Sequence, residues 1–344
     1  MIMIQIVKCD SSVVKALASI NESELLTVFV VNEKNVLVGT LTDGDIRRYL
    51  INGGQLNDPV VNAVNKSFSK IEKKDSDTLK SLKEFKAKGI KLVPVVNSKG
   101  EIVDIYDLVN FKSHLPIDAV LMAGGKGERL RPLTEKTPKP LLPVGDKCII
   151  DHNVDRLISY GVKHISVTVN YLKEQIEEHY SKPRNGIKVN TCREPKFLGT
   201  IGSIKFVEKF YNDAILVMNS DLFTNIDYED FYLHFKQHDA EMSVAAVPYD
   251  VSIPYGILNL SGCDIMEIQE KPKYNYYANA GIYLIKKCIL DEIPCDTFFD
   301  ATNLIDKLIS KHKKVIRYPL NGTWIDIGAI PEYQKATELA RHMR

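Results

Sequence analysis

Apolar positions along this chain follow two rhythms, and the change between them divides it. In the first third, apolar residues at helical spacing precede a short apolar strand, a polar turn and a second strand, and the unit then recurs. A shift of 65 residues lays Asp10-Ser11 on Asp75-Ser76 and Leu17 on Leu82. The same shift lays Val30-Val31-Asn32 on Val95-Val96-Asn97, and Leu37-Val38 on Ile102-Val103. One ungapped shift over this length marks an internal repeat. The turns fall within 31–39 (VNEKNVLVG) and 96–104 (VNSKGEIVD), and residues 43–50 (DGDIRRYL) open a helix behind a capping residue. Residues 112–116 (KSHLP) are polar, aperiodic and end in proline, as a linker does.

From residue 117 strands alternate with helices. IDAVLMA (117–123) reads as a strand, and further strands are expected at 165–169, 187–192, 214–218, 242–248, 281–285 and 315–318. Helical stretches include Tyr171–Tyr180, Ala301–Lys311 and Pro331–His342. This alternation predicts an α/β fold, with a mixed, mostly parallel sheet covered on both faces and ligands at the carboxyl ends of its strands. The expected organisation is a repeat pair over 1–112, a linker at 113–116 and an α/β domain over 117–344.

Composition narrows the function classes. The 344 residues carry a formal net charge of +1, so no global field draws the chain to nucleic acid or an acidic membrane. No apolar run approaches the roughly 20 residues that cross a bilayer, and MIMIQIVKCD lacks the basic start of a signal peptide. The cysteines at 9, 148, 192, 263, 288 and 295 are scattered, with no Cys-x-x-Cys pair and no histidine grouped with them. A zinc site or disulfide framework is not expected, and a cytoplasmic protein is.

The chemistry concentrates after 117–123. Ala123-Gly124-Gly125-Lys126-Gly127 follows the strand as a loop whose amides can close on phosphate oxygens. It lacks the third glycine of a dinucleotide fingerprint and the Gly-Lys-Ser/Thr of a Walker loop. Instead Arg129 and Lys139 stand among Pro132, Pro138, Pro140 and Pro143, a stiff segment that holds two cations with little ordering cost.

The repeat, with Gly39-x-x-Thr42-x-x-Asp45 as its best local motif, resembles a tandem pair of cystathionine-β-synthase (CBS) domains over residues 5–112. That resemblance implies a smaller α+β domain in which Thr42 and Asp45 hold the phosphate and ribose of an adenine nucleotide. The same two residues also suit a plain helix cap. The second copy has Asp104, Asp107 and Asn110 at these positions, and a carboxylate at 107 repels phosphate, so at most one nucleotide site is expected.

The remaining two thirds resemble the sugar-1-phosphate nucleotidyltransferases (NDP-sugar pyrophosphorylases). The resemblance rests on the loop, on Leu198-Gly199-Thr200-x-Gly202-Ser203 and on Asn219-Ser220-Asp221. It recurs in Glu270-Lys271-Pro272, Asn279-x-Gly281-Ile-Tyr283 and Trp324-Ile-Asp326-Ile-Gly328. It implies a Rossmann-like, glycosyltransferase-A-like sheet. It also implies that Arg129 clamps the leaving pyrophosphate, Lys139 the α-phosphate and Lys271 the sugar phosphate. Ala123, Gly124, Gly125, Gly127, Gly199, Thr200 and Gly202 would line the nucleotide, and Glu270, Asn279 and Gly281 the sugar phosphate. Asp221 and Asp326 would hold Mg²⁺. Taken singly, Asp221 is an ordinary turn residue, Glu-Lys-Pro a solvated turn, Trp324 a core residue and Tyr274, Tyr276 and Tyr277 a surface cluster. His152 and His179 are expected on helix surfaces. Ser220 stands where the family has glycine, which strains the turn only if φ there is positive.

The implied reaction joins an NTP and a sugar-1-phosphate, giving an NDP-sugar and pyrophosphate. Architecture and the 194–200 stretch are similar to hexose- or amino-sugar-1-phosphate guanylyltransferases of legionaminate-type pathways, so GTP is the expected donor. UTP, dTTP or CTP is the alternative, as is a non-catalytic, nucleotide-sugar-sensing regulator. A homo-oligomer is expected, with neither nucleic acid nor membrane as partner.

Overall fold

The structure, a computed structural model, describes residues 6–73 and 78–342, so the Asp75–Ser76 part of the repeat match falls outside it. Two compact units divide between His114 and Leu115. Within the segment read as a linker, Ser113, His114 and Leu115 are buried. His114 stacks on Tyr106 with ring centroids 4.4 Å apart, and the Leu115 amide donates to Tyr160 O. Local polarity missed this because the ring of a histidine is largely apolar surface.

In the first unit the repeat is visible in three dimensions. β1 (Ile6–Lys8), α1 (Val13–Glu22), β2 (Thr27–Val31) and β3 (Leu37–Thr42) form the first copy. After α2 (Asp43–Ile51), the second copy comprises β4 (Ile71–Glu72), α3 (Thr78–Ala87), β5 (Leu92–Val96) and β6 (Ile102–Asp107). Each copy is a three-stranded sheet with one parallel and one antiparallel pairing, and the bulges at Val30/Val31 and Val95/Val96 are equivalent. Asn32 and Asn97 build both turns alike, each Oδ1 accepting two backbone N–H groups. A bridge between Val36 and Glu101, themselves equivalent positions, joins the copies. Val13, Ile20, Val28 and Val30 fill one core, and Leu82, Val93 and Val95 the other.

The second unit is built on a seven-stranded sheet. Its strands are β7 (Ile117–Ala123), β10 (His164–Val169), β11 (Val189–Arg193), β12 (Ala214–Asn219), β14 (Met242–Ser252), β17 (Lys273–Lys286) and β18 (Val315–Pro319). Two short strands, β8 (Pro143–Val144) and β9 (Lys147–Cys148), lead into α4 (Ile149–Ser159), and α5 (Lys173–His179) follows β10. α6 (Tyr228–Gln237) precedes β14, α7 (Ala301–Ser310) precedes β18 and α8 (Ile330–His342) ends the described chain. Sheet order is β11-β10-β7-β12-β17-β14-β18, parallel except where β17 pairs antiparallel with β12 and β14. Ala119, Val120, Leu121, Ile215, Leu216 and Val217 are buried on both faces, which is why these strands read as unbroken apolar runs.

Where the sequence predicts a strand at 281–285, β17 runs from 273. Its first half pairs with β14 as a two-stranded ribbon, exposed apart from partial cover, and so shows no apolar rhythm. β15 (Ile257–Ser261) and β16 (Asp264–Gln269) continue the ribbon as a hairpin. Finally, β13 (Leu222–Thr224) pairs with β19 (Trp324–Asp326), placing Leu222 opposite Asp326. No helix among the described residues is long and apolar enough to cross a membrane.

Candidate active site

β7 and β12 pair in parallel, so their carboxyl ends fall side by side, and the Gly- and Pro-rich loop follows β7. Gly127 holds φ +62°, and a Cβ there would meet Lys139 and Thr134 at about 3 Å, so only glycine suits the turn. Thr134 Oγ1 ties the loop back to Gly127 O at 2.8 Å. Lys139 opens a single turn of 3-10 helix between two prolines and is 8% exposed. Its ammonium donates to Asp221 Oδ2 across 82 positions of sequence, so loop cation and strand-end acid form one largely buried ion pair.

Asp221 and Asp326 are drawn together by the β13–β19 pair and by Ile327 N donating to Asp221 O. Burial holds the Asp326 carboxyl above the usual carboxylate range, and the charge of Asp221 pushes the same way against Lys139 and Arg129. The Arg129 guanidinium lies over Gly328, where a Cβ would stand 3.1 Å from Nη2. Two cations and two acids thus stand together. Asp221 Oδ1 is buried without a hydrogen-bond partner, which is how a carboxylate oxygen is left for a hard cation. Glu332, in the first turn of α8, is a third acid near Asp326; its Oε2 is likewise buried without a partner.

Ser220 causes no strain. It lies outside the left-handed region, and its Oγ and backbone N–H both donate to Met122 O, tying β12 to β7. Behind the acids, Asn153 on α4 is buried and donates to Leu222 O at 2.7 Å, while Arg156 donates to Asn225 O and Ile226 O. Both anchors escaped sequence reading because a polar residue within a helix carries no local mark of its distant partner.

Ala123 and Gly124 are buried at the end of β7, and Gly125 is exposed. The Glu194 carboxylate presses against the Cα of Gly124, leaving no room for a Cβ. Glu194 is buried, accepts Leu198 N–H at 3.3 Å, and burial pushes its carboxyl above the usual range. Gly199 (φ +78°), Thr200 and Gly202 form the neighbouring turn, with the Thr200 hydroxyl oxygen accepting Ala301 N–H.

The residues expected on the sugar side are less gathered. Asn279 bridges Gly281 N–H and the Tyr283 hydroxyl, and Gly281 packs on Asn219. Glu270 and Lys271 (φ +46°) stand exposed where hairpin and ribbon meet; among the described residues no hydrogen bond or ion pair joins them to Lys139 or the acids.

Although His179 is distant in sequence, folding brings ligand atoms of Cys148, Asp151 and His179 within 4.8 Å of one another. The cluster is closed by Arg184, whose Nη1 is 3.0 Å from Asp151, and by the Tyr180 hydroxyl; burial also pushes the Cys148 thiol up. His179, the last residue of α5, keeps a partly exposed ring on the helix surface while its Nε2 meets Asp151. Likewise His152 is half-buried against Val144 O and Phe223.

In the first unit Thr42 and Asp45 form a capping box on α2, and Asp45 also pairs with Arg48. Thr42 lines a cleft of about 450 Å³ with Thr27, Thr40, Asp43, Asn65 and Lys91, whereas Asp45 lines a separate groove.

Residues 3–52 match the CBS domain family. Similar proteins include the mannose-1-phosphate guanylyltransferase catalytic subunit beta of Dictyostelium discoideum, 30% identical over 61% of this chain and 60% of that protein. Another is the bifunctional protein GlmU of Methanocaldococcus jannaschii, 33% identical over 62% of this chain and 51% of that protein. The chain thus spans only half to three fifths of these relatives. HddC of Yersinia pseudotuberculosis superposes with a TM-score of 0.50 at 26% identity, over 64% of this chain and 98% of that one. Residues 118–342, well over half of the sequence, match the nucleotidyl transferase family, and to that family the chain belongs.

Proposed function

We propose that the chain transfers a nucleoside monophosphate, from GTP in preference to other NTPs, to a hexose- or amino-hexose-1-phosphate. The carrying observation is the Lys139–Asp221 pair, with Asp326 and Arg129 beside it: cations and acids gathered in one cluster suit two polyanions and a metal. In this reading a sugar-phosphate oxygen forms the new bond to the α-phosphorus in line, as the bond to pyrophosphate breaks and its electrons leave with that group. A phosphate dianion is already a nucleophile, so no general base is needed. Arg129 neutralises the leaving pyrophosphate, Lys139 the α-phosphate and Lys271 the incoming phosphate, with Glu270, Asn279 and Gly281 on the sugar.

Members of this family use a divalent metal. Asp221 and Asp326 would hold Mg²⁺, supported by the unpartnered Asp221 Oδ1; the ion supplies charge neutralisation of the phosphates. In this reading Glu194, packed beside Gly124, faces the base: a carboxylate can accept guanine N1–H and the N2 amino group together, whereas uracil and thymine set carbonyls beside a single N–H. Two relatives agree: one is named a mannose-1-phosphate guanylyltransferase, and HddC was solved complexed with GMP-PN.

The first unit reads as a regulatory CBS pair taking an adenine nucleotide at the Thr42 cleft, in a cytoplasmic homo-oligomer. The free cysteines and the exposed Leu260, Met266 and Ile268 of the hairpin support the last two points. The test is a panel of NTPs against sugar-1-phosphates with Mg²⁺, assayed for pyrophosphate. GTP with an aldohexose- or glucosamine-1-phosphate is the expected pair, and silence across the panel overturns the reading.

A further inference from the structure

The turn at 198–202 is clasped by residues from a hundred positions further along the chain. Lys196 pairs with Asp296 at 3.3 Å, and Phe197 meets Phe298 with ring centroids 5.9 Å apart. Phe299 N donates to Leu198 O, and Ile201 N and Gly202 N both donate to Phe299 O. Asp300 Oδ1 accepts Thr200 N–H at 2.8 Å, and the Thr200 hydroxyl oxygen accepts Ala301 N–H at 2.9 Å. A Cβ at Gly199 would meet Phe299 O and Asp300 Oδ1 at 2.8 Å, so the two segments are in close contact.

Two carboxylates therefore hold one short turn from opposite ends. Glu194 accepts Leu198 N–H and Asp300 accepts Thr200 N–H, with the left-handed Gly199 between them. A carboxylate accepting a backbone amide makes a strong, directional bond, and Asp300 is the N-cap of α7, where its backbone N–H, not its carboxylate, donates to Asn303 Oδ1. Phe299 holds Leu198, Ile201 and Gly202 by backbone bonds, and the Asp300 carboxylate takes the Thr200 amide between them.

We propose that Asp300 is a positioning residue for nucleotide recognition: it fixes the Gly199–Gly202 turn and, through it, the orientation of Glu194. The inference rests on the reading above that this turn and Glu194 face the nucleobase. Asp300 need not touch the nucleotide; it acts through Thr200 N–H.

The test uses full-length protein, with GTP binding measured by calorimetry beside separate KM values for GTP and sugar phosphate. D300A is expected to weaken GTP binding and raise its KM about tenfold, leaving the KM for sugar phosphate unchanged. D300N, whose amide oxygen still accepts Thr200 N–H, should stay within about threefold of wild type. N303A removes only the reciprocal half of the α7 cap; it should lower Tm and leave GTP affinity intact. If D300A does not fold, D300S keeps a capping oxygen too short to reach Thr200 and takes its place, with the same expected loss. The proposal falls if D300A binds GTP like wild type, or if N303A loses as much affinity as D300A. A wild-type protein that binds no NTP would instead bring down the functional reading and this inference with it.

Discussion

Thr42–Asp45 in the first unit and Lys139–Asp221–Asp326 in the second are both polar clusters at strand ends, and folding leaves them in opposite states. Thr42 and Asp45 satisfy each other: hydroxyl to carboxylate, carboxylate to backbone N–H, with Arg48 on the remaining oxygen. The second cluster holds an ion pair yet leaves Asp221 Oδ1 buried and unpartnered, with the Asp326 carboxyl held up by burial. A buried acceptor without a donor costs about 1–3 kcal/mol. The first arrangement is complete as a helix cap; the second is complete only when something cationic arrives. Unsatisfied chemistry, rather than residue type, separates the two.

That contrast breaks first at the acids. Asp221→Asn or Asp326→Asn should cut turnover by about 10³-fold or more; Tm should hold or rise for Asp326→Asn, where carboxylate repulsion is relieved, and fall for Asp221→Asn, which leaves the buried Lys139 ammonium without its partner; turnover near wild type would place the metal elsewhere. Lys139→Met should be nearly as damaging to turnover. It should also cost about 3 kcal/mol in urea unfolding, since Asp221 is left charged and half-buried without its partner.

Glu194→Gln should act on preference rather than rate, lowering the GTP-over-UTP ratio in kcat/KM by about tenfold or more. Because burial raises the Glu194 carboxyl, wild-type GTP affinity should fall as pH drops through a value above the usual glutamate range, and the variant should lose that dependence. The same raised carboxyl works against the unliganded fold as pH rises: between its unfolded and folded pKa the native state binds more protons, so stability declines across that window. The smallest effect belongs to the first cluster. Thr42→Ala should cost about 1 kcal/mol through the lost cap of α2, and Asp107→Ala less, since no helix follows β6. An adenine nucleotide that raises the Tm of wild type but not of T42A would move Thr42 to the ligand-binding side of the comparison.

Much of the fold was legible because its signals are local. The sheet strands announce themselves as apolar runs, and the repeat survives in structure down to its bulges and its two asparagine turns. The ribbon half of β17 was not legible, since a strand exposed on both faces has no reason to alternate. At the site, Lys139, Asp221 and Asp326 could be chosen by motif, but only folding shows that Lys139 reaches Asp221. Glu194 lay within a quoted stretch without a role; its meaning comes from Gly124, 70 positions away. Asn153 and Asp300 act through backbone amides and carbonyls of other segments, and backbone groups leave no trace in residue identity.

The bridge between Val36 and Glu101 joins a position to its own counterpart. A contact of that kind is the signature of an isologous interface, the sort two separate copies of one short polypeptide would form about a twofold axis. Fusing them in tandem turns an association that depends on concentration into one that does not, and releases each half from having to match the other. The two copies differ in this way at Asp107 and Asn110, where the second has a hydrogen-bonded turn in the place of the first copy's helix start.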